Sequence, residues 1–321
     1  MAAKRMTKKE RERRHRRRFW TGVLACSVVA ALCILVSLSE QMDKPFLPTW
    51  DEIFTAVGLK EPPPLDSTLQ VQVLDVGNAD AILLRNQKQT MLIDAGEKGD
   101  AETVLAALHK QGIGKLDLVI ATHPDADHIG GMAEVIEGME IGAFIMARMP
   151  EGSTPTTQTY TAMLEALAAK GVRAEQAEPG ASYSLGEAKV DILGPLADYE
   201  DTNNQSVVCK VTFGSRKFLF MGDAETQAED ALLSAGTDLS ADVVKLGHHG
   251  SKSSSQKEFL QAVGPQYALI SCGAGNPYGH PDEETLITLD TLRIPVYRTD
   301  LNGTITLTSD GQTISIETEK E

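Results

Sequence analysis

A mostly apolar run, Leu116 to Ala121, passes directly into THPDADHIGG, Thr122 to Gly131. A run this short and this apolar reads as a buried strand, so His123, Asp125, Asp127 and His128 fall on the loop at its C-terminal end. Four metal-capable side chains within six residues restrict the choice of fold severely. His123 and Asp125, two apart, point the same way in an extended segment, whereas the neighbours Asp127 and His128 diverge and reach a second point. That spacing suits two cations rather than one, as in hydrolases that clamp both the attacking and the leaving oxygen. At any single position a solvated polar loop with helix-capping aspartates would look the same. Only the four together, with partners downstream, argue against it.

The surrounding chain has 321 residues, enough for one large or two small domains with ample core. Its formal charge of −15 hides an asymmetry: Met1 to Arg18 carries ten Lys or Arg against two Glu, leaving 20 basic and 43 acidic residues from Phe19 onward. The body is therefore acidic and offers no broad basic face. Cys26 and Cys33 lie in an N-terminal apolar run, and Cys209 and Cys272 in predicted strands. Such spacing makes neither a disulfide framework nor a CxxC metal knuckle, and buried thiols are preferred over a Cys209 to Cys272 bridge.

Residues 1–18 read as a basic cytoplasmic tail and 19–39, FWTGVLACSVVAALCILVSLS, as a transmembrane anchor. The basic flank holds the N-terminus in the cytoplasm and sends the rest outside, an extracytoplasmic single-pass arrangement. An uncleaved anchor is preferred over a signal peptide, because the apolar run is long and no small-x-small site ends it. A lipoprotein signal at Val23 to Cys26 is weaker still, since apolar residues continue beyond Cys26. Residues 40–67, with prolines at 45, 48, 62, 63 and 64, read as a linker. Residues 68–321 make the catalytic body.

Within that body, strands are expected near 70–76, 81–85, 89–93 and 116–122, with a helix over 101–111, followed by a helix over 156–170. Further strands are expected at 188–193, 207–213, 217–221 and 242–246, with a helix over 226–234. Hairpins followed by interleaved helices point to an α+β arrangement of mixed sheets covered by helices. The chemistry recurs at strand ends. Phe218 to Met221 ends in Gly222-Asp223, and a carboxylate delivered there is well placed to bridge two cations. Val243 to Leu246 ends in GHHGS, Gly247 to Ser251. Of seven histidines, five (His123, His128, His248, His249 and His280) follow strands or lie in glycine-rich loops.

These segments resemble the metallo-β-lactamase superfamily. HPDADHIGG is similar to its HxHxDH signature with the second histidine replaced by aspartate, and Asp94 in LIDAG, Asp223 in MGD and GHHGS follow in the family's order. More closely, Val71 to Gly303 resembles the metallo-β-lactamase-like domain of the ComEC type from DNA-uptake channels, through LDVGNADA, the metal loop, GHHGSKSSS, NPYGHP and VYRTDLNG. The resemblance does not extend to the multi-helix channel, since only one apolar span is present. It implies a four-layer αββα sandwich with two divalent ions, zinc or manganese, at one edge.

Carried over residue by residue, the resemblance implies that His123 and Asp125 hold the first ion, Asp127 and His128 the second, and Asp223 both. His248 is the preferred remaining ligand, with His249 the alternate. Asp94 would orient a ligand histidine or close the site loop. The family's additional histidine is missing between Glu134 and Gly222, so Asn204 or water would take its place. Asp80, in Asn78-Ala79-Asp80, is expected to support a turn or a ligand. Lys252 with Ser251 and Ser253 could bind a phosphate oxygen, and His280 is a candidate proton donor to the leaving oxygen. The oxygen-rich ligand set moves the expected metal from zinc alone toward manganese. The function this implies is a membrane-anchored, metal-dependent phosphodiesterase acting on DNA or another phosphodiester, with Asp127 in its catalytic centre. The alternatives are a thioester, lactone or β-lactam hydrolase, and a non-catalytic binding module. The acidic body argues against tight non-specific nucleic-acid binding.

Overall fold

In β1 (Leu69–Val73) buried Leu69, Val71 and Val73 alternate with half-buried Gln70 and Gln72, the period-two pattern of a strand with one face on a core. The structure, a computed structural model, describes Leu35–Ser37, Ser39, 67–150 and 152–320. Leu35–Ser37 and Ser39 are helical, and the rest of the expected tail and anchor, with the linker up to residue 66, lies outside the described residues. Among the described residues no helix is long and apolar enough to cross a membrane. The chain divides into two units, Met1–Pro62 and Pro63–Glu321, and the second carries the sandwich.

The first half continues with β2 (Ile82–Asn86), β3 (Gln89–Ile93), α1 (Ala101–Lys110), β4 (Lys115–Ala121), α2 (Ala126–Ile129), α3 (Met132–Gly138), β5 (Glu140–Met146), α4 (Gln158–Lys170) and β6 (Ala174–Gln176). The second half contains β7 (Ser182–Leu185), β8 (Ala188–Gly194), β9 (Val208–Phe213), β10 (Arg216–Phe220), α5 (Thr226–Ser234), β11 (Val243–Lys245), α6 (Lys257–Val263) and β12 (Tyr267–Ile270). It ends with α7 (Glu283–Leu292), β13 (Val296–Arg298), α8 (Thr299–Asn302), β14 (Ile305–Ser309) and β15 (Ile314–Thr318). One sheet has eight strands in the order β15-β14-β1-β2-β3-β4-β5-β6, and the other seven, β13-β12-β11-β10-β9-β8-β7.

Three apolar layers hold this arrangement. The central one interleaves Val71, Leu84, Met91 and Ile120 of the first sheet with Val190, Val211, Phe218 and Leu269 of the second. A second packs Leu92, Val119 and Phe144 against Val104, Leu108, Val135 and Met163 from α1, α3 and α4. The third packs Leu219, Val244 and Ile270 against Leu232, Phe259 and Leu289 from α5, α6 and α7. Helices, two sheets and helices again make the α+β, αββα sandwich. Cys209 and Cys272 are both free and buried, so no bridge joins them.

The expected strands and helices of the body fall within a few residues of those observed, but α2, α3 and β5, and later β6 and β7, lie in stretches where no element was expected. β5 pairs parallel with β4 along its whole length. Its Gly142 lets the backbone pass Asp117, whose carbonyl oxygen would lie 2.6 Å from any Cβ added there. The site follows from the topology. β4, β10 and β11 all end at the same edge of the sandwich, where loops after strand C-termini converge.

Candidate metal centre

β4 ends at Ala121, and the chain crosses Thr122 to His123, whose side chain is inaccessible to solvent. The short helix α2 then carries Asp127 and His128 inward. From the opposite sheet, β10 ends and Gly222, at φ +55, turns Asp223 toward the same point. At that turn a Cβ would meet Ser206 and Thr122 Cβ at 3.0 Å, so the tight approach of the two sheets here needs glycine. After β11, Gly247-His248-His249 follows with both histidines at positive φ, 47° and 52°, a strained backbone of the kind that clusters at functional sites.

Asp127, His128, Asp223 and His249 each bring one ligand atom into a group whose members all lie within 4.8 Å of one another. His128 Nε2 is 3.1 Å from Asp223 Oδ1, and His249 Nε2 is 3.3 Å from Asp127 Oδ2 and 3.6 Å from Asp223 Oδ2. Beside this group, His123 Nε2 lies 3.9 Å from both Asp125 Oδ2 and Asp223 Oδ2. Asp223 thus faces both sets. His123 Nε2, His128 Nε2 and Asp223 Oδ1 are buried without hydrogen-bond partners, a costly condition unless a cation takes up their lone pairs. Donors about 2.1 Å from one ion lie roughly 3.0–3.4 Å apart in octahedral or tetrahedral geometry, close to the spacings here. The residues fit divalent metal.

The opposite ring nitrogens are tied down. His128 Nδ1 donates to Asp94 Oδ2 at 2.7 Å, and Asp94, at φ +58, also accepts from the Thr122 amide and hydroxyl. His249 Nδ1 donates to the Ser271 carbonyl at 2.9 Å. His123 Nδ1 lies 3.2 Å from Thr122 Oγ1 and 3.3 Å from Ser206 Oγ. Each arrangement leaves Nε2 for the site, the usual way a ligand histidine is oriented. Asp80 Oδ2 pairs with Lys245 Nζ at 2.7 Å, both side chains buried, while Asp80 Oδ1 lies 3.5 Å from His249 Nδ1.

Burial and neighbouring charges shift the groups of the cluster in opposite directions. Burial holds the His123 imidazole down at about 4, neutral and ready to ligate. Burial also disfavours charge on His128, but Asp223 and Asp94 outweigh it and raise that imidazole well above its ordinary value. Asp223 shows the converse: burial pushes it up, and His128 and His249 overcome this and hold it well below the usual carboxylate range.

Of the expected residues, His123, Asp125, Asp127, His128 and Asp223 lie together, and the adjacent histidines divide. His249 joins the four-residue group. His248, the expected ligand, stands at the edge of that group: its Nδ1 pairs with Glu225 Oε1 at 2.8 Å, its side chain is 26% exposed, and its Nε2 lies 3.9 Å from Asp223 Oδ2, the same distance as His123 Nε2. Asn204 does not take the place of the missing histidine. Its Nδ2 donates to Asp201 and its Oδ1 accepts from the Glu225 and Ala228 amides, holding the start of α5. Ser206 approaches His123 instead, and its hydroxyl also accepts from the Asp223 amide. Lys252 stands exposed at the rim, its amide donating to Asp282. Ser251 bonds Ser253, which donates to Glu225. His280 Nδ1 donates to the His248 carbonyl at 3.2 Å, so it flanks His248 rather than the ligand cluster. Glu225 went unnoticed in the sequence because it lies in no motif, although its place two residues after Asp223 is a usable signal.

An αββα sandwich with this ligand cluster at its edge defines a class, and comparison agrees: the chain belongs to the metallo-beta-lactamase superfamily, whose profile matches residues 74–274. It is 32% identical over 264 residues to ComE operon protein 3 of Bacillus subtilis, covering 76% of this chain and 33% of that protein. To competence protein ComA of Neisseria gonorrhoeae it is 31% identical over 238 residues, covering 73% and 31%. To recombination protein 2 of Haemophilus influenzae it is 28% identical over 292 residues, covering 88% and 32%. The chain spans about a third of the length of these relatives. Among solved structures it resembles the metallo-beta-lactamase fold protein YhfI of Bacillus subtilis (TM-score 0.50, 14% identity, 75% of this chain and 99% of that one). It also resembles CmlA, a diiron beta-hydroxylase from Streptomyces venezuelae (TM-score 0.50, 17% identity, 85% and 62%). At these identities the likeness is one of fold.

Proposed function

We propose that this chain is a metal-dependent phosphodiesterase, anchored by its N-terminal apolar segment and acting outside the cytoplasmic membrane on single-stranded DNA or a related phosphodiester. The observation that carries the reading is His248, half-buried, held by Glu225, and adjacent to the ligand cluster without joining it. Divalent ions held by His123, Asp125, Asp127, His128, Asp223 and His249 supply activation of water and polarisation of the phosphoryl group. The acidic, oxygen-rich donor set favours manganese or a mixed manganese and zinc occupancy.

The protein's own residues supply the rest. Glu225 accepts from His248 Nδ1 and orients the ring with Nε2 toward the cluster, the position from which a general acid would serve a leaving alkoxide oxygen. His280 fixes the His248 backbone through its carbonyl. Lys252, exposed at the rim, supplies a positive charge for a non-bridging phosphate oxygen. A thioester makes little use of such a donor, because a thiolate leaves unaided, whereas an alkoxide leaves poorly without a proton. The names of the relatives, a competence protein and a recombination protein, support DNA as the substrate class.

The test uses the full-length protein, stripped of metal and refilled with Mn²⁺ or Zn²⁺, on single-stranded DNA and bis-p-nitrophenyl phosphate beside Asp127→Ala. Metal-dependent cleavage that Asp127→Ala loses is the expected result. Bound metal with no turnover of either substrate would remove the phosphodiesterase reading.

A further inference from the structure

Tyr278 is 70% exposed, the most exposed large hydrophobic side chain among the described residues. A lone exposed tyrosine on a surface needs no explanation. Its position does. The Tyr278 ring meets His280 edge to face, with centroids 5.9 Å apart and planes at 75°. His280 in turn lies 5.3 Å from the His248 ring. A line of rings therefore runs from solvent to the histidine beside the metal ligands.

The loop that presents Tyr278 is built rather than loose. Asn276 Oδ1 accepts from both the Tyr278 and His280 amides, at 3.2 and 3.0 Å. Its Nδ2 donates to the Gly273 and His280 carbonyls, at 2.9 and 2.5 Å. The loop is also fastened to the GHHGSK segment, since the Asp282 amide donates to the Gly250 carbonyl and Asp282 Oδ2 accepts from the Lys252 amide, both at 3.0 Å. At Gly250, φ +79, an added Cβ would lie 2.7 Å from Pro281 Cβ, so the two loops pack backbone to side chain. Tyr278 and Lys252 thus belong to one fastened rim.

The charge of the molecule says what this rim must do. With 43 acidic residues against 20 basic from Phe19 onward, neutralisation of many phosphates cannot supply affinity for a polyanion. Base stacking on an aromatic face is insensitive to that deficit and contributes roughly 1–3 kcal/mol per base. An exposed phenol ring, preorganised beside the scissile site, is the side chain such a contact uses.

We propose that Tyr278 is a substrate-binding platform on which the base of the nucleotide next to the scissile phosphate stacks. This rests on the phosphodiesterase reading above and adds that the substrate carries bases: the enzyme grips a nucleobase and one phosphate rather than a long phosphate backbone. Affinity then depends weakly on salt and falls sharply when the base is removed.

The test is equilibrium binding of fluorescein-labelled oligo-dT, and of the same oligomer with abasic residues, to the full-length protein by fluorescence anisotropy, with Tyr278→Ala, Tyr278→Phe and Tyr278→Trp alongside. The parent, Tyr278→Phe and Tyr278→Trp are expected to bind the base-bearing oligomer roughly 10-fold more tightly than the abasic one. Tyr278→Ala is expected to bind both alike. Equal binding of the two oligomers by the parent, or an undiminished preference in Tyr278→Ala, would overturn the proposal. The same preparation is assayed for turnover of bis-p-nitrophenyl phosphate. Its absence sinks the phosphodiesterase reading by itself, whatever the oligomers show.

Discussion

His248 and His249 are adjacent, and their rings face different partners. Both backbones lie at positive φ, and the Ser271 carbonyl draws Nδ1 of His249 inward while Glu225 draws Nδ1 of His248 outward. Nothing in the letters HH decides between them, because the choice depends on a carbonyl at the end of β12 and a carboxylate before α5. His123, Asp125, Asp127 and His128 were legible because spacing on one loop is a local property. The Ser206 contact to His123 was not, since it requires the start of β9 to lie against β4. The two histidines also differ in expected consequence. His248→Ala should slow cleavage of a DNA phosphodiester by about 10²–10⁴-fold, since an alkoxide leaves poorly without a proton. It should slow bis-p-nitrophenyl phosphate far less, because p-nitrophenolate leaves unaided. Initial rates on the two substrates check this, and equal losses on both would remove the proton-donor role.

At the scale of elements, most strands and helices could be placed from period and turn signals, and the sheet order could not. β1 lies between β14 and β2, a neighbour over two hundred residues away in the chain that no local pattern reveals. α2 escaped notice because two of its four residues are Asp127 and His128, and α3 because seven residues are too few to establish a period. Another element contact has a measurable signature. Glu229 on α5 is fully buried and accepts the Ser255 and Gln256 amides where the chain enters α6. Burial pushes its carboxyl from 4.5 to about 7. The folded protein therefore holds this proton more tightly than the unfolded chain. The resulting stability is fully present below about pH 4.5, is lost as pH rises, and levels off above about pH 7. Between pH 5 and 8 the parent should lose more stability than Glu229→Gln, by up to about 3 kcal/mol. Urea denaturation of both at the two pH values measures it, and parallel losses would contradict it.

For the whole molecule, the two sheets meet at the site through charge as well as through the central apolar layer. Asp80, between β1 and β2, and Lys245, on β11, form a fully buried pair linking one sheet to the other beneath His249. Removing one partner leaves a buried charge uncompensated, so Lys245→Met should cost roughly 3–5 kcal/mol. Combining it with Asp80→Asn should recover much of that loss, a coupling that denaturant titration of the double-mutant cycle reads directly. Additive losses would show that the pair does not act as a unit. The metal centre has the same span, with Asp127 and His128 following a strand of one sheet and Asp223 and His249 following strands of the other. Metal occupancy is therefore the claim on which the rest depends. The direct measurement is metal content, by plasma mass spectrometry, of the full-length protein equilibrated with Mn²⁺ or Zn²⁺ and freed of excess, beside Asp223→Ala. The expected result is about two divalent ions per chain, largely lost in Asp223→Ala. A parent that retains no metal, or an Asp223→Ala variant that retains as much as the parent, would contradict the account.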